Sequence, residues 1–271
     1  MQPPRIPHDY HVHSAFSIDR DTPLAATCER AIALGLSELC FAEHADFTPA
    51  DAGRGYFQPD AYFAEIERYR ARYGDQLTIR AGVEIAEPHR FPAEAAALCG
   101  AYPFDVVIGS LHWIGAELAL MPDYFAGQDE DVAYGAYFAE LVEVVRAGGF
   151  DVLGHLGVLK RAGYDLHGHS YGLARHADAI DAMLRACVAQ GIGLEINTGT
   201  LRRAVAETAP PLAILRCYRA LGGELLTLGS DAHGPDALAY RFDLALELAR
   251  AAGFRHVACF ERRQPHLVSI E

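Results

Sequence analysis

Short apolar segments alternate with helical patterns about seven times along the chain, and this feature restricts the fold more than any other. We predict strands at residues 9–13, 38–42, 77–84, 105–110, 151–154, 193–197, 225–229 and 257–260. We predict helices at residues 24–34, 60–73, 92–100, 131–147, 210–221 and 237–252, and one more that ends at 190. Such alternation is typical of a parallel sheet covered by helices, and this many units indicate closure into an α/β barrel. A doubly wound open sheet is the alternative.

The sequence shows no break that would separate domains. No linker, low-complexity stretch or block of like charge interrupts the alternation, so we predict one domain over residues 1–271. No Gly-x-Gly-x-x-Gly sequence follows a strand and no Walker-type loop occurs, which leaves a nucleotide-binding site without support.

Composition restricts the partners and the location of the protein. The net charge of −13 argues against non-specific nucleic-acid binding, which depends on Lys and Arg, but permits a small phosphorylated substrate. Residues 1–5 do not resemble a signal peptide, and no apolar run reaches the roughly 18 residues of a membrane span. The six cysteines are scattered without a Cys-x-x-Cys pair, as reduced thiols are. We therefore expect a cytoplasmic protein without a membrane or nucleic-acid partner.

Residues of the metal-ligand type recur where the predicted strands end. His11 and His13 are separated by one residue, so their side chains point the same way from an extended strand. In a parallel barrel the carboxyl ends of the strands meet at one mouth, which would bring the set together. The set comprises His11, His13, Asp19, His44, Glu84, His112, His155, Asp231 and His233.

Each member of the set has another interpretation when it is taken alone. With thirteen histidines in the chain, one His-x-His pair arises easily by chance. The histidines after strands could be core residues, Glu84 a buried ion-pair partner, and Asp231 with His233 a helix cap. Their common position in the strand–helix repeat argues against coincidence. The second pair, His167 and His169, lies in a predicted loop, and we expect it to lie outside the site.

The donor types indicate which ions the set would bind. Nitrogen and oxygen donors without cysteine favour zinc, manganese or iron. The set is larger than one ion needs, so two or three divalent ions that share a bridging carboxylate fit it better. Clustered ions bind phosphoryl oxygens and generate hydroxide near neutral pH, which is the chemistry of phosphoester hydrolysis.

The motifs that contain these residues resemble those of the PHP (polymerase and histidinol phosphatase) superfamily over nearly the whole chain. They are His11-x-His13, Glu43-His44, Gly82-Val83-Glu84, Ser110-Leu111-His112, Gly154-His155 and Ser230-Asp231-Ala232-His233. Segments 9–17, 153–156 and 194–203 are most similar to the stand-alone histidinol-phosphate phosphatases of histidine biosynthesis.

The resemblance implies a distorted seven-stranded barrel with a trinuclear site. His11, His13, Glu84 and Asp231 would hold one ion. Glu84 would bridge to a second ion, which His112 and His155 also hold. Asp19, His44 and His233 would hold the third. None of these positions is substituted in this sequence.

The resemblance also implies hydrolysis of L-histidinol phosphate to L-histidinol and phosphate. A hydroxide that the ions activate would attack phosphorus, and the residues expected to act in catalysis are His11, His13, Glu84, Asp231 and His233. Arg161, after the fifth strand, and Arg202 or Arg203, after the sixth, lie at the mouth, and the resemblance favours Arg161 and Arg202 as the residues that bind the phosphate. Solvated surface arginines are the alternative.

The amine and imidazole of histidinol need further partners. We expect His44 and Trp113 among them, with Glu43, Glu87 and Tyr124 as further candidates.

Three other functions remain open on the sequence alone. One is a phosphodiesterase or nuclease of the same superfamily, which the negative charge disfavours. Another is a phosphatase acting on sugar or nucleotide phosphates through the same site. The third is a metal-binding barrel without catalytic activity. We make no prediction of the oligomeric state.

Overall fold

Seven parallel strands, each hydrogen-bonded to the next in chain order, curl into a nearly closed barrel. The computed structural model describes residues 8–271. The barrel strands, first to seventh, are His8–Val12, Glu38–Ala45, Thr78–Ala86, Val106–Ser110, Val152–Leu153, Gly193–Asn197 and Leu226–Gly229. The predicted barrel is confirmed, and the open-sheet alternative is wrong.

Helices connect the strands and cover the outside of the barrel. They are Leu24–Leu34, Pro59–Tyr73, Pro92–Ala101, Glu130–Ala147, Lys160–His167, Ala177–Gln190, Leu212–Ala220 and Phe242–Ala251. The first helix has the predicted bounds because local signals fix both ends. Pro23 precedes its first turn, and Gly35 ends it in the left-handed conformation at φ 72°.

The main core lies between the barrel and its helices. Side chains on the outer face of the strands, such as Phe41, Val83 and Ile196, are fully buried against the helical layer. Burial of this apolar surface is the principal stabilising contribution to a fold of this kind.

A short backbone bridge and buried side chains close the seam between the first and seventh strands. Only one backbone bridge, between Val12 and Ala232, joins this edge in the described residues 8–271. Asp9 accepts hydrogen bonds from the backbone N–H of Ser230 at 3.0 Å and of Ala239 at 2.9 Å. These bonds satisfy donors that would otherwise be unpaired at the edge of the sheet.

A C-terminal hairpin closes the end of the barrel opposite the mouth. Strands His256–Glu261 and Gln264–Ser269 pair antiparallel, so the tail predicted after residue 260 is a second strand. A small buried cluster joins the hairpin to the barrel interior; it consists of Tyr10, Cys40, Val106, Val152, Ala258, Cys259 and Phe260. The hairpin therefore fills the end of the barrel away from the candidate ligands.

Two further elements were not predicted. The short helix Lys160–His167 lies in the segment expected to be irregular, and strands Trp113–Ile114 and Glu117–Leu118 form a small hairpin after the fourth barrel strand. In the part of the chain that the structure describes, no helix is both long and apolar enough to cross a bilayer.

Candidate metal centre

A cavity of about 680 Å³ opens at the carboxyl ends of the barrel strands. Seven of the nine residues singled out from the sequence line it: Asp19, His44, Glu84, His112, His155, Asp231 and His233. The other two, His11 and His13, lie beneath its floor and are 0% exposed. The structure thus brings all nine side chains together, as their common position at the ends of the predicted strands implies.

Glu84, from the third strand, lies at the centre of the group. One carboxylate oxygen, Oε2, faces three imidazoles: His44 Nδ1 at 2.9 Å, His11 Nε2 at 3.3 Å and His13 Nε2 at 3.7 Å. This carboxylate is fully buried, so it needs positive charge or hydrogen-bond donors around it.

The other oxygen of Glu84, Oε1, faces the neighbouring strands. His155 Nε2 lies 2.8 Å away and His112 Nε2 3.4 Å away, and the Ser110 hydroxyl donates to the same oxygen at 2.7 Å. The two oxygens therefore point to different sets of imidazoles, which is the arrangement a bridging carboxylate requires.

Asp231 and its neighbours complete the other side of the group. Asp231 Oδ1 lies 3.5 Å from His13 Nε2 and 3.4 Å from His233 Nδ1. Asp19 Oδ2 lies 2.7 Å from His233 Nε2, and the His13 and His44 rings are stacked 4.2 Å apart. Asp231 has a φ of 52°, and this left-handed backbone turns its side chain back toward the strand ends.

Glu84 and His13 are in the protonation states that bind cations, whereas Glu84 raises the pKa of His44 to about 10 despite burial, so His44 must lose a proton before it can act as a ligand. Burial alone would raise the pKa of Glu84, but the nearby imidazoles of His11 and His44 hold that pKa well below its ordinary value. Burial, with repulsion from His44 and His233, lowers the pKa of His13 to about 3, so this imidazole is neutral and able to act as a ligand.

Unpaired buried atoms support the same conclusion. His11 Nε2, His13 Nε2 and His44 Nδ1 are buried around Glu84 Oε2 at 2.9–3.7 Å, but none of these four atoms makes a hydrogen bond of normal geometry among residues 8–271. Buried polar atoms are almost always paired, and all four atoms converge on one point. Groups within this cluster have donor atoms within 4.8 Å of one another, so the residues present fit divalent ions.

Further carboxylates hold the ligands in place: Glu43 and Glu87, which the sequence suggested only as partners of the substrate, and Glu195, which it did not single out. Glu43 accepts the Ser17 hydroxyl at 2.7 Å, and the same hydroxyl lies 3.1 Å from His13 Nδ1. Glu87 accepts the backbone N–H of His112 at 2.7 Å. Glu195 Oε1 lies 2.8 Å from the His11 ring nitrogen Nδ1. These contacts join distant segments, so no local motif signals them.

Asp46 also belongs to the cavity. It lines the wall, is 6% exposed, and its Oδ1 atom is buried without a hydrogen-bond partner in the described residues. Its carboxylate and two imidazoles, those of His44 and His112, form one group of potential ligands. The only sequence signal is its position two residues after His44 at the end of the second strand.

Three arginines line the cavity at the loops after the fifth and sixth strands. Arg161 is half-buried, and neither it nor Arg203 makes a side-chain hydrogen bond or ion pair among residues 8–271. Arg202 instead donates to the backbone carbonyls of Ser230 and Asp231, at 2.9 Å each. Of these three, the Arg161 and Arg203 guanidinium groups are therefore the ones available to an anion, and Arg20, in the loop after the first strand, also lines the cavity.

The other candidates from the sequence lie away from the cavity wall. The Trp113 indole donates to Asp51, which lines the cavity, at 2.6 Å. Glu43 and Glu87 are fully buried with their oxygens occupied, and the Tyr124 hydroxyl donates to the carbonyl of Ala133. These contacts leave Glu43, Glu87 and Tyr124 without a free polar group toward a ligand.

The second His-x-His pair lies outside the site, as expected. His169 is exposed and lies beside Glu130, with Nε2 3.1 Å from its carboxylate. Neither His167 nor His169 lines the cavity at the strand ends.

Comparisons with known proteins agree with this geometry. The PHP domain family model matches residues 9–199. Histidinol-phosphatase of Lactococcus lactis is 32% identical over 258 residues, which cover 93% of this chain and 93% of the relative. Probable histidinol-phosphatase of Deinococcus radiodurans is 30% identical over 266 residues, covering 94% of this chain and 97% of the relative.

A solved structure is also similar over nearly the full length. Histidinol phosphate phosphatase of Lactococcus lactis, complexed with zinc, L-histidinol and phosphate, matches with a TM-score of 0.87 and 28% identity. The match covers 96% of this chain and 98% of that chain. With its nearly closed barrel and its nine clustered side chains, the chain belongs to the PHP domain family.

Proposed function

We propose that the protein is a metal-dependent phosphomonoesterase that hydrolyses L-histidinol phosphate to L-histidinol and phosphate. One observation carries the proposal: carboxylates and imidazoles converge on Glu84 in the cavity that Arg161 and Arg203 also line. A phosphate monoester needs both features, because cations must neutralise its oxygens and donors must orient it. The named relatives and the zinc, L-histidinol and phosphate of the solved relative support the substrate.

We assign the ligands to three ions as the resemblance of the motifs to those of the PHP superfamily implies. His11, His13, Glu84 and Asp231 would hold the first ion. Glu84, His112 and His155 would hold the second, and Asp19, His44 and His233 the third. Zinc, manganese and iron all suit these donors, and the zinc of the solved relative favours zinc. When bound, such ions would lower the pKa of water and neutralise phosphoryl oxygens.

The side chains of the cavity have separate roles in this proposal. Arg161 and Arg203 bind the phosphate through their free N–H groups, and Arg202 holds the Ser230–Asp231 turn in place while it lines the same wall. His44 would hold an ion and would also contact the substrate. Trp113 acts through Asp51, whose carboxylate it fixes. Asp46 and Asp51 are acidic partners for the positive charge of the substrate.

We also propose that residues 1–271 act as a single domain in the cytoplasm. All six cysteines are free, which suits a reducing compartment. A phosphodiesterase acting on nucleic acid is the second candidate within the family, but the net charge of −13 disfavours it.

Phosphate release from a panel of substrates tests this function. With zinc or manganese supplied, kcat/KM for L-histidinol phosphate should exceed that for simple sugar phosphates by at least about 100-fold. The reason is that sugar phosphates carry no positive charge to pair with Asp46 and Asp51. Exhaustive chelation should abolish the activity, and added metal should restore it. Equal rates across the panel, cleavage of single-stranded DNA, or full activity after chelation would each contradict the proposal.

A further inference from the structure

Glu195, on the sixth strand, lies behind the metal centre and does not line the cavity in the described residues. It is 1% exposed. Its Oε1 atom lies 2.8 Å from His11 Nδ1, and its Oε2 atom accepts the backbone N–H of His155 at 2.7 Å. Asn197 also donates its side-chain amide to Oε2, at 3.2 Å. One carboxylate therefore contacts the first strand and the segment after the fifth strand, at the two positions that carry candidate ligands.

The contact with His11 fixes which ring nitrogen can bind a metal. A carboxylate only accepts hydrogen bonds, so His11 Nδ1 must carry the proton. In the neutral imidazole, His11 Nε2 then keeps the lone pair, and this atom is buried and lies 3.3 Å from Glu84 Oε2. Glu195 thus favours the tautomer of His11 that can act as a ligand.

Gly229 provides the space that this contact needs. A Cβ atom at position 229 would lie 1.8 Å from Glu195 Oε1 and 2.7 Å from the His11 Cβ. Any larger residue would therefore push the carboxylate away from His11. The glycine at the end of the seventh strand is explained by this close approach.

We propose that Glu195 is a positioning residue for the metal centre: it selects the ligating tautomer of His11 and fixes His155 relative to it. The inference rests on the metal-dependent function proposed above. His11 and His155 both face Glu84, one on each carboxylate oxygen, so Glu195 fixes the spacing between these two candidate ligands. Loss of such a partner typically weakens metal binding by about 10–100-fold.

Substitution of Glu195 by glutamine breaks this arrangement whichever way the amide is oriented. If the amide oxygen accepts from the His155 N–H, the NH₂ group faces His11 Nδ1 and stabilises the tautomer that cannot bind through Nε2. If the amide is reversed, its NH₂ group faces the backbone N–H of His155, and two donors cannot form a hydrogen bond with each other. Glu195→Gln therefore removes one of the two contacts with almost no change in volume.

The test is titration of metal-free protein with zinc alone, followed by competition with a chelating dye and by thermal unfolding. Glu195→Gln should bind zinc about 10–100-fold more weakly than wild type and should gain less Tm on zinc addition. The Tm of the metal-free variant should stay near that of wild type, which separates positioning from a purely structural role. Glu247→Gln, which removes an exposed carboxylate on the last helix, is the matched control and should behave as wild type.

A second variant keeps the inference testable if Glu195→Gln does not fold. Gly229→Ala keeps the Glu195 carboxylate but should push it away from His11. It should therefore also weaken zinc binding. Unchanged zinc affinity in either folded variant would overturn the role of Glu195 while leaving the metal-dependent function intact. Failure of the wild-type protein to bind zinc would instead overturn the function itself.

Discussion

Glu84→Gln should release the bound metal and reduce kcat/KM by about 10³-fold or more, the largest effect we expect from any single substitution. Each oxygen of Glu84 faces its own set of imidazoles, with His44 at 2.9 Å from one and His155 at 2.8 Å from the other. Glutamine keeps the size of the side chain but replaces one acceptor by an NH₂ donor. That donor cannot bind a cation, so at least one ion position loses its ligand.

Metal content per chain, measured by elemental analysis beside phosphate release, checks this prediction. Circular dichroism must show that the variant is folded, and Glu247→Gln again serves as the variant with the same change in charge at an exposed site. A folded Glu84→Gln protein with wild-type metal content and activity would show that Glu84 is not the bridging group.

Arg161→Met should produce the opposite pattern, with normal metal content and poor substrate binding. The guanidinium is half-buried at the cavity wall with no partner among residues 8–271, and burial lowers its pKa. An anion would offset this burial cost. Two charge-assisted hydrogen bonds of about 1.5 kcal/mol each correspond to a decrease of about 100-fold in kcat/KM. Methionine retains the apolar stem, so packing should change little.

Steady-state kinetics and inhibition by inorganic phosphate separate this effect from loss of metal. KM should rise, and phosphate should inhibit the variant more weakly than wild type. Arg203→Met should have a smaller effect because Arg203 is exposed, and Arg185→Met, on a remote helix surface, should have none. Loss of metal together with unchanged phosphate affinity in Arg161→Met would refute the assigned role.

The sequence predicted those parts of the fold that depend on local signals. The first helix has the predicted bounds because Pro23 and Gly35 define its ends. The barrel follows from repeated alternation, and the position of His44, Glu84 and His155 at strand ends follows from the same periodicity. Parallel topology then brings these ends together, and the structure shows that it does.

Contacts between distant segments could not be predicted in this way. Glu195 is an acidic residue in an apolar strand, and only the folded barrel shows that it reaches His11 across the interior. The second strand of the C-terminal hairpin, Gln264–Ser269, is largely exposed and polar, so it lacks the alternation that signals a strand. The helix Lys160–His167 is short and has an unfavourable composition, and tertiary contacts determine it.

The position of bound metal tests the central claim most directly. Crystals of the zinc-loaded protein, measured at the zinc absorption edge, should show anomalous peaks at about 2.0–2.3 Å from the Glu84 carboxylate and the surrounding imidazole nitrogens. Zinc-replete crystals without a peak beside Glu84, or with peaks only at remote surface positions, would contradict the account.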